Sequence, residues 1–215
     1  YCIYNHERYN DYNYLLCRAN ATAKEVFFMK FLKQFVESAK EFKHIKSIVM
    51  AALLVALHTV LAFFVSFQVT PTLRISLSFL TNVVTGCLFG PVMGFLCGGV
   101  GDIIQFILKP VGPFFPGWTF NAALAGLIYG CFFYNKFPTK AFDVKFFVRC
   151  VLVLTFDTLL VNVFFGTLWT SIMFGKGFWF YFTSRAIKNL VQLPINIILT
   201  YYVLWFTKSL KKHLN

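Results

Sequence analysis

Ile48-Val-Met-Ala-Ala-Leu-Leu-Val-Ala-Leu-His-Thr-Val-Leu-Ala-Phe-Phe-Val-Ser-Phe67 contains no acidic residue, no lysine and no arginine. About 20 consecutive, mostly apolar residues are enough for a helix to cross the hydrocarbon core of a bilayer. The stretch therefore reads as a membrane-spanning helix, and the chain keeps the same texture as far as Phe206. Composition agrees: 58% of the residues are hydrophobic, 20% aromatic and only 13% charged, with a mean hydropathy of +0.67. A soluble domain carries roughly 25% charged residues.

Breaks in the apolar run set the expected elements. After the first helix, a short loop containing Pro71 and Arg74 leads to a second helix, about Leu77 to Phe89. Gly90-Pro91 interrupts the ladder, because proline has no N–H to continue it, and a third helix runs to about Leu108. The loop Lys109 to Gly117 is rich in proline and glycine, hence stiff and non-helical. A fourth helix covers about Trp118 to Tyr134, a fifth about Phe146 to Met173 and a sixth about Trp179 to Phe206. The expected fold class is an all-α membrane protein, a six-helix transmembrane bundle.

Lysines and arginines collect in the N-terminal arm, in the loop near residue 140 and in the C-terminal tail. Positive charge of this kind marks cytoplasmic segments, so both termini are expected in the cytoplasm. The net charge of +12 is thus topogenic, and nucleic-acid binding is not expected. Residues 29–46, with Lys30, Lys33, Lys40, Lys43 and Lys46 among apolar residues, read as a basic amphipathic helix on the membrane lipid surface. Met29 opens Met-Lys-Phe-Leu-Lys, and residues 1–28 are expected to be an extension foreign to the native chain. The domain division is 1–44 extension and amphipathic segment, 45–208 membrane substrate-binding domain, and 209–215 basic cytoplasmic tail. Among the six cysteines no C-x-x-C pair occurs, and they read as small buried hydrophobes.

Once the helices are given directions, their polar residues acquire depths. Asn82, Asp102, Gln105, Asn121, Asn162, Trp169, Arg185, Lys188 and Asn189 all fall in the outer half of the membrane. Arg185 sits roughly 10 Å below the start of the sixth helix. Arg185, Lys188 or Asn189, Gln192 and Asn196 share one helix face, and Thr158, Asn162, Gly166 and Trp169 recur at similar intervals on the fifth helix. Facing stripes at one depth would form a polar cavity. The plainer alternative is that Asp102 pairs with Arg185 or Lys188 while the amides bridge helices. Arg74, Lys109, Lys176, Arg185 and Lys188 outnumber Asp102 in this layer, and Trp118 and Trp169 lie beside them. Cations for a carboxylate and flat faces for stacking suit an aromatic organic anion. Trp179 reads as part of the interfacial aromatic belt, and His58 as a packed histidine. Ala52-x-x-x-Ala56 is a small-x-x-x-small spacing that lets another helix approach closely. No phosphate-binding loop, HExxH or GxSxG occurs, so the chain is not read as an enzyme.

Leu73-Arg-Ile-Ser-Leu-Ser-Phe79, Leu88-Phe-Gly-Pro91, Gly98-Gly-Val-Gly-Asp102, Pro110-Val-Gly-Pro-Phe-Phe-Pro-Gly117 and Leu124-Ala-Gly-Leu-Ile-Tyr-Gly130 follow in order. Together they resemble the substrate-binding S components of energy-coupling factor vitamin transporters, most of all the folate-specific kind. The resemblance spans about Ile45 to Lys208. It implies a bacterial multi-pass cell-membrane protein that binds a vitamin from outside. Its partners would be a transmembrane coupling subunit and two cytoplasmic ATPase subunits. The implied movement is a toppling of the whole component in the membrane; ATP is used only by the partners, and no cofactor is implied. It further implies that Ala52 and Ala56 contact the coupling subunit. Folate suits the polar layer: Asp102 can accept from the pterin N–H edge, Trp169 can stack on the ring, and Arg74 or Arg185 can meet the glutamate tail. Two alternatives stay open: the same architecture serving another vitamin, and a self-sufficient proton-coupled transporter using Asp102 or Asp157 as relay.

Overall fold

The structure is a computed structural model that describes residues 23–64, 66–70, 73–110, 114–138, 143–175 and 177–214. Most of the expected foreign extension, together with Lys140 and Lys176, lies outside the described residues. Helix α1 (Ala23–Lys40) continues into a single 3-10 turn, Glu41–Lys43. One residue later the first apolar segment forms α2 (Ile45–Phe64).

The segment between α2 and α3 departs from expectation. In place of a plain loop there is an antiparallel hairpin of β1 (Ser66–Thr70) and β2 (Leu73–Ser76), with Phe67 opposite Ile75 and Gln68 opposite Arg74. Consequently α2 ends at Phe64 and not at Phe67. Ser-Phe-Gln-Val-Thr and Leu-Arg-Ile-Ser alternate with period two, which is a strand signature.

Helix α3 (Phe79–Phe89) is buried along its length, every residue from Leu80 to Phe89 included. It forms the centre of the bundle. Gly90, at φ 86°, makes the sharp break that a side chain would resist, and Pro91 opens α4 (Pro91–Leu108) in the position proline tolerates best. Helix α5 (Pro116–Phe133) lies against α4 with almost nothing between the backbones. A methyl group at Gly94 or Gly126 would run into the other residue's carbonyl, and one at Gly98 would sit 2.5 Å from the Ala122 carbonyl oxygen. Small residues allow this closeness, and packing at such distances holds helices together where lipid removes the hydrophobic drive.

The next apolar run is one rod in three parts: α6 (Val144–Asp157), a π-helical segment Thr158–Phe165, and α7 (Gly166–Phe174). Asp143 caps it by accepting from the amides of Lys145 and Phe146. Gly175, at φ 70°, closes α7 in the left-handed conformation that suits a helix C-terminus. The last helix, α8 (Phe178–Leu214), carries Pro194 inside it and absorbs the expected basic tail as helix.

Two clusters of buried side chains form the core. The larger joins α3, α5, α6, the π segment and α8 through Val83, Tyr129, Phe133, Phe146, Leu154, Val161 and Leu204; the smaller joins α2, α3 and α4 through Ala51, Leu88 and Met93. Outward faces are apolar too: Leu53, Phe64, Leu152, Leu190 and Val191 are all exposed. Exposed apolar surface on this scale needs a non-aqueous neighbour. Among the described residues four helical stretches are long and apolar enough to cross a membrane: Ile45–Phe64, Pro91–Leu108, Val144–Phe174 and Phe178–Lys208. The protein is a membrane helical bundle.

Candidate binding site

The end of α2, the end of α4 and the starts of α5 and α8 share one end of the bundle, and the polar layer lies just beneath it. Arg185 stands about two turns into α8 and is only 9% exposed. Its guanidinium donates to the Thr170 hydroxyl of α7 at 2.7 Å and lies 5.0 Å from the centre of the Trp118 ring of α5. Gly166 makes room for it, since a Cβ there would come within 2.7 Å of Arg185 Nη1. A guanidinium has five N–H donors in a planar fork, so holding it by one hydroxyl and one ring face orients the plane.

A second unit lies alongside. The Trp169 indole N–H donates to the Asn121 side-chain oxygen at 3.0 Å, while the Asn121 amide N–H₂ donates to the Val161 carbonyl at 3.4 Å. Trp169 stacks on Phe165 with centroids 6.3 Å apart and tilts against Phe115 at 5.7 Å. Gly117 lets the indole settle, because a Cβ there would meet the ring at 2.7 Å. Asp102 joins from α4: its carboxylate accepts from Thr119, the residue after Trp118, at 2.8 Å. Asn82 is buried in the first turn of α3 at the same end, and half-buried Lys188 follows Arg185 by three residues on α8. The fold thus gathers Asn82, Asp102, Trp118, Asn121, Trp169, Arg185 and Lys188 at one end of the bundle.

Other expected residues stand apart. Asn162 does not continue the Gly166–Trp169 face. The π segment carries more residues per turn than the 3.6 spacing assumed, and Asn162 is turned to the surface, its amide reaching back to Asp157 at 3.3 Å. Lys109 donates to the Phe63 carbonyl at 3.1 Å and lies over the Phe63 ring, tying the end of α4 to the end of α2. The backbone of Arg74 lies in β2, and its side chain is outside the described residues. Ala52 and Ala56 lie exposed on α2 beside Leu53 and Leu57, far from this layer.

Sequence reasoning placed Gly166 on the polar stripe but missed Thr170 and Thr119, which hold the named side chains in place. Gly166, Thr167 and Thr170 are small residues at helical spacing in an otherwise bulky segment, a signal that was available. It also missed a pair in the middle of the bundle: Asp157, 3% exposed, accepts from the Tyr129 hydroxyl at 2.8 Å. Tyr129 is about 12 Å further along α5 than Asn121, so this pair lies below the polar layer. His58 is buried, and its Nδ1 is 2.9 Å from the Thr81 hydroxyl. That hydroxyl already donates to the Ser78 carbonyl, so His58 Nδ1 carries the proton in this pair.

A bundle of apolar helices with cations, amides and indoles gathered at one end is a membrane-embedded binding protein. A model of the ECF (energy-coupling factor) transporter substrate-specific component matches residues 46–204, and the chain belongs to that family. Members of it are binding subunits of transporters, not enzymes. The chain is 33% identical over 159 residues to the folate transporter FolT of Clostridium novyi (strain NT), covering 74% of this chain and 88% of the relative. It is 29% identical over 164 residues to FolT of Leuconostoc mesenteroides subsp. mesenteroides, covering 74% and 84%. A solved crystal structure of FolT bound with folic acid is similar at a TM-score of 0.66 and 33% identity, over 77% of this chain and 96% of that one.

Proposed function

We propose that this chain is the folate-binding membrane subunit of an ECF transporter, which captures folate outside the cell and delivers it inward. The observation that carries the reading is the Arg185 guanidinium, held out of water between Thr170 and the Trp118 ring, next to the Trp169–Asn121 pair. It supplies a fork for the glutamate carboxylates and aromatic faces for the pterin. The likeness to FolT bound with folic acid supports the same ligand.

In this reading six helices cross a bacterial cell membrane: α2, α3 with the hairpin, α4, α5, the Val144–Phe174 rod and α8. Both termini are cytoplasmic, because the lysine-rich arm and tail lie at the end opposite the polar layer. Delivery requires a transmembrane coupling subunit and two ATPase subunits, which alone use ATP; this chain needs no cofactor. Ala52 and Ala56 would meet the coupling subunit, since a small-residue face admits a second helix closely.

The test is calorimetric titration of the purified, detergent-solubilised protein with folate, thiamine and riboflavin, with mass spectrometry of any co-purifying small molecule. Tight binding of folate alone is expected. Tight binding of another vitamin with none of folate would overturn the proposal.

A further inference from the structure

Ser38 is the one fully buried side chain among residues 31–40 of α1, and it makes an unusual set of bonds. Its hydroxyl donates to the Phe89 carbonyl at 2.6 Å, the last residue of α3. It accepts from the amides of Val92 and Met93 at 3.0 and 3.3 Å, in the first turn of α4. The first amides of a helix have no partner within it, and a serine or aspartate just before the helix normally serves them. Here that position is Gly90, which has no side chain, and a Cβ there would strike Ser38 at 2.8 Å. A residue more than fifty positions upstream therefore caps α4 and ties α1 to the α3–α4 break.

Much of the rest of residues 31–46 is exposed. Phe31, Leu32, Val36 and, in the 3-10 turn, Phe42 are exposed, and so are Lys33, Lys40, Lys43 and Lys46. Of the acids between them, Glu37 takes up Lys33 at 3.8 Å, and Glu41 is directed away, accepting from the Ser47 hydroxyl. His44 alone separates this segment from α2, which crosses the membrane. The surface therefore lies where the bilayer begins, with apolar side chains to insert and Lys40, Lys43 and Lys46 left for negative headgroups.

We infer that residues 31–43 form a docking surface for an anionic lipid bilayer, latched through Ser38 so that lipid contact is felt at the α3–α4 break. Free lipid charge attracts each lysine enough for about a fivefold gain in residence near the surface. Latching makes that gain a property of the bundle and not of a loose arm.

The test is hydrogen–deuterium exchange of the full chain in nanodiscs of phosphatidylglycerol or of phosphatidylcholine. Phosphatidylglycerol is expected to slow exchange across 31–43 and at the Val92 and Met93 amides. The triple variant Lys40→Gln, Lys43→Gln, Lys46→Gln should lose most of the difference between the two lipids. Ser38→Ala should keep the difference in 31–43 while Val92 and Met93 exchange fast in both lipids. Equal protection of 31–43 in the two lipids would show an apolar anchor without charge recognition and overturn the inference. So would an undiminished difference in the triple variant. If Val92 and Met93 still follow the lipid in Ser38→Ala, the latch is refuted.

Discussion

Replacing Arg185 by alanine removes the guanidinium that the fold holds against the Trp118 ring and the Thr170 hydroxyl. Because the group is nearly out of water, its bonds to a carboxylate compete with little solvent. A charge-assisted hydrogen bond in such a setting contributes about 1.5–3 kcal/mol. That converts to a loss of about ten- to a hundredfold in folate affinity. Arg185→Lys keeps the charge but loses the planar fork and the stacking on Trp118, so its loss should fall between wild type and alanine. The assay is calorimetry or quenching of tryptophan fluorescence, run with folate and with a pterin that lacks the glutamate tail. Thermal unfolding of each variant confirms that the bundle is intact. The truncated ligand should lose far less than folate on the same substitution, because its tail is absent. An equal loss for both would mean that Arg185 holds the pterin or the fold. No loss for either would refute the anion argument, and the folate reading with it.

Three further outcomes follow from the geometry. Gly126→Ala should lower the unfolding temperature in detergent, because its methyl has only the Gly94 carbonyl to move against; overpacking of this kind costs about 1–3 kcal/mol. Asp157→Leu leaves the Tyr129 hydroxyl and the Asn162 amide without their acceptor and should cost about 1–3 kcal/mol in the same unfolding assay. Asp157→Asn keeps an acceptor oxygen and should cost clearly less; equal losses would show that charge, not the hydrogen bond, matters there. Ala52 or Ala56 changed to tryptophan should leave folate binding by the isolated protein unchanged while abolishing uptake by cells, and a loss of binding would show that this face belongs to the pocket.

The bundle was legible because its logic is one-dimensional: apolar runs, proline breaks and lysine-rich ends each announce themselves locally. The polar layer was legible for a related reason, since Asp102, Asn121 and Arg185 conflict with the segments that contain them. Whatever depends on partners distant in sequence was not legible. No local pattern says that Ser38 caps α4, or that Tyr129 meets Asp157. Asn162 was misplaced on its face because a π segment alters the turn without altering the hydrophobic composition. The hairpin was missed although its alternation was present, because short strands beside a proline also read as loop.

The contact between α4 and α5 limits how this protein can move. Two backbones that touch at Gly94, Gly98, Ala122 and Gly126 leave no layer of side chains to act as a lubricant. They form a stiff plate, and Asp102, Trp118 and Asn121 are rivets on it. The wall facing this plate carries Trp169 and Arg185. That wall is jointed: the π turns lie directly before Gly166, and Pro194 interrupts the ladder of α8 nine residues beyond Arg185.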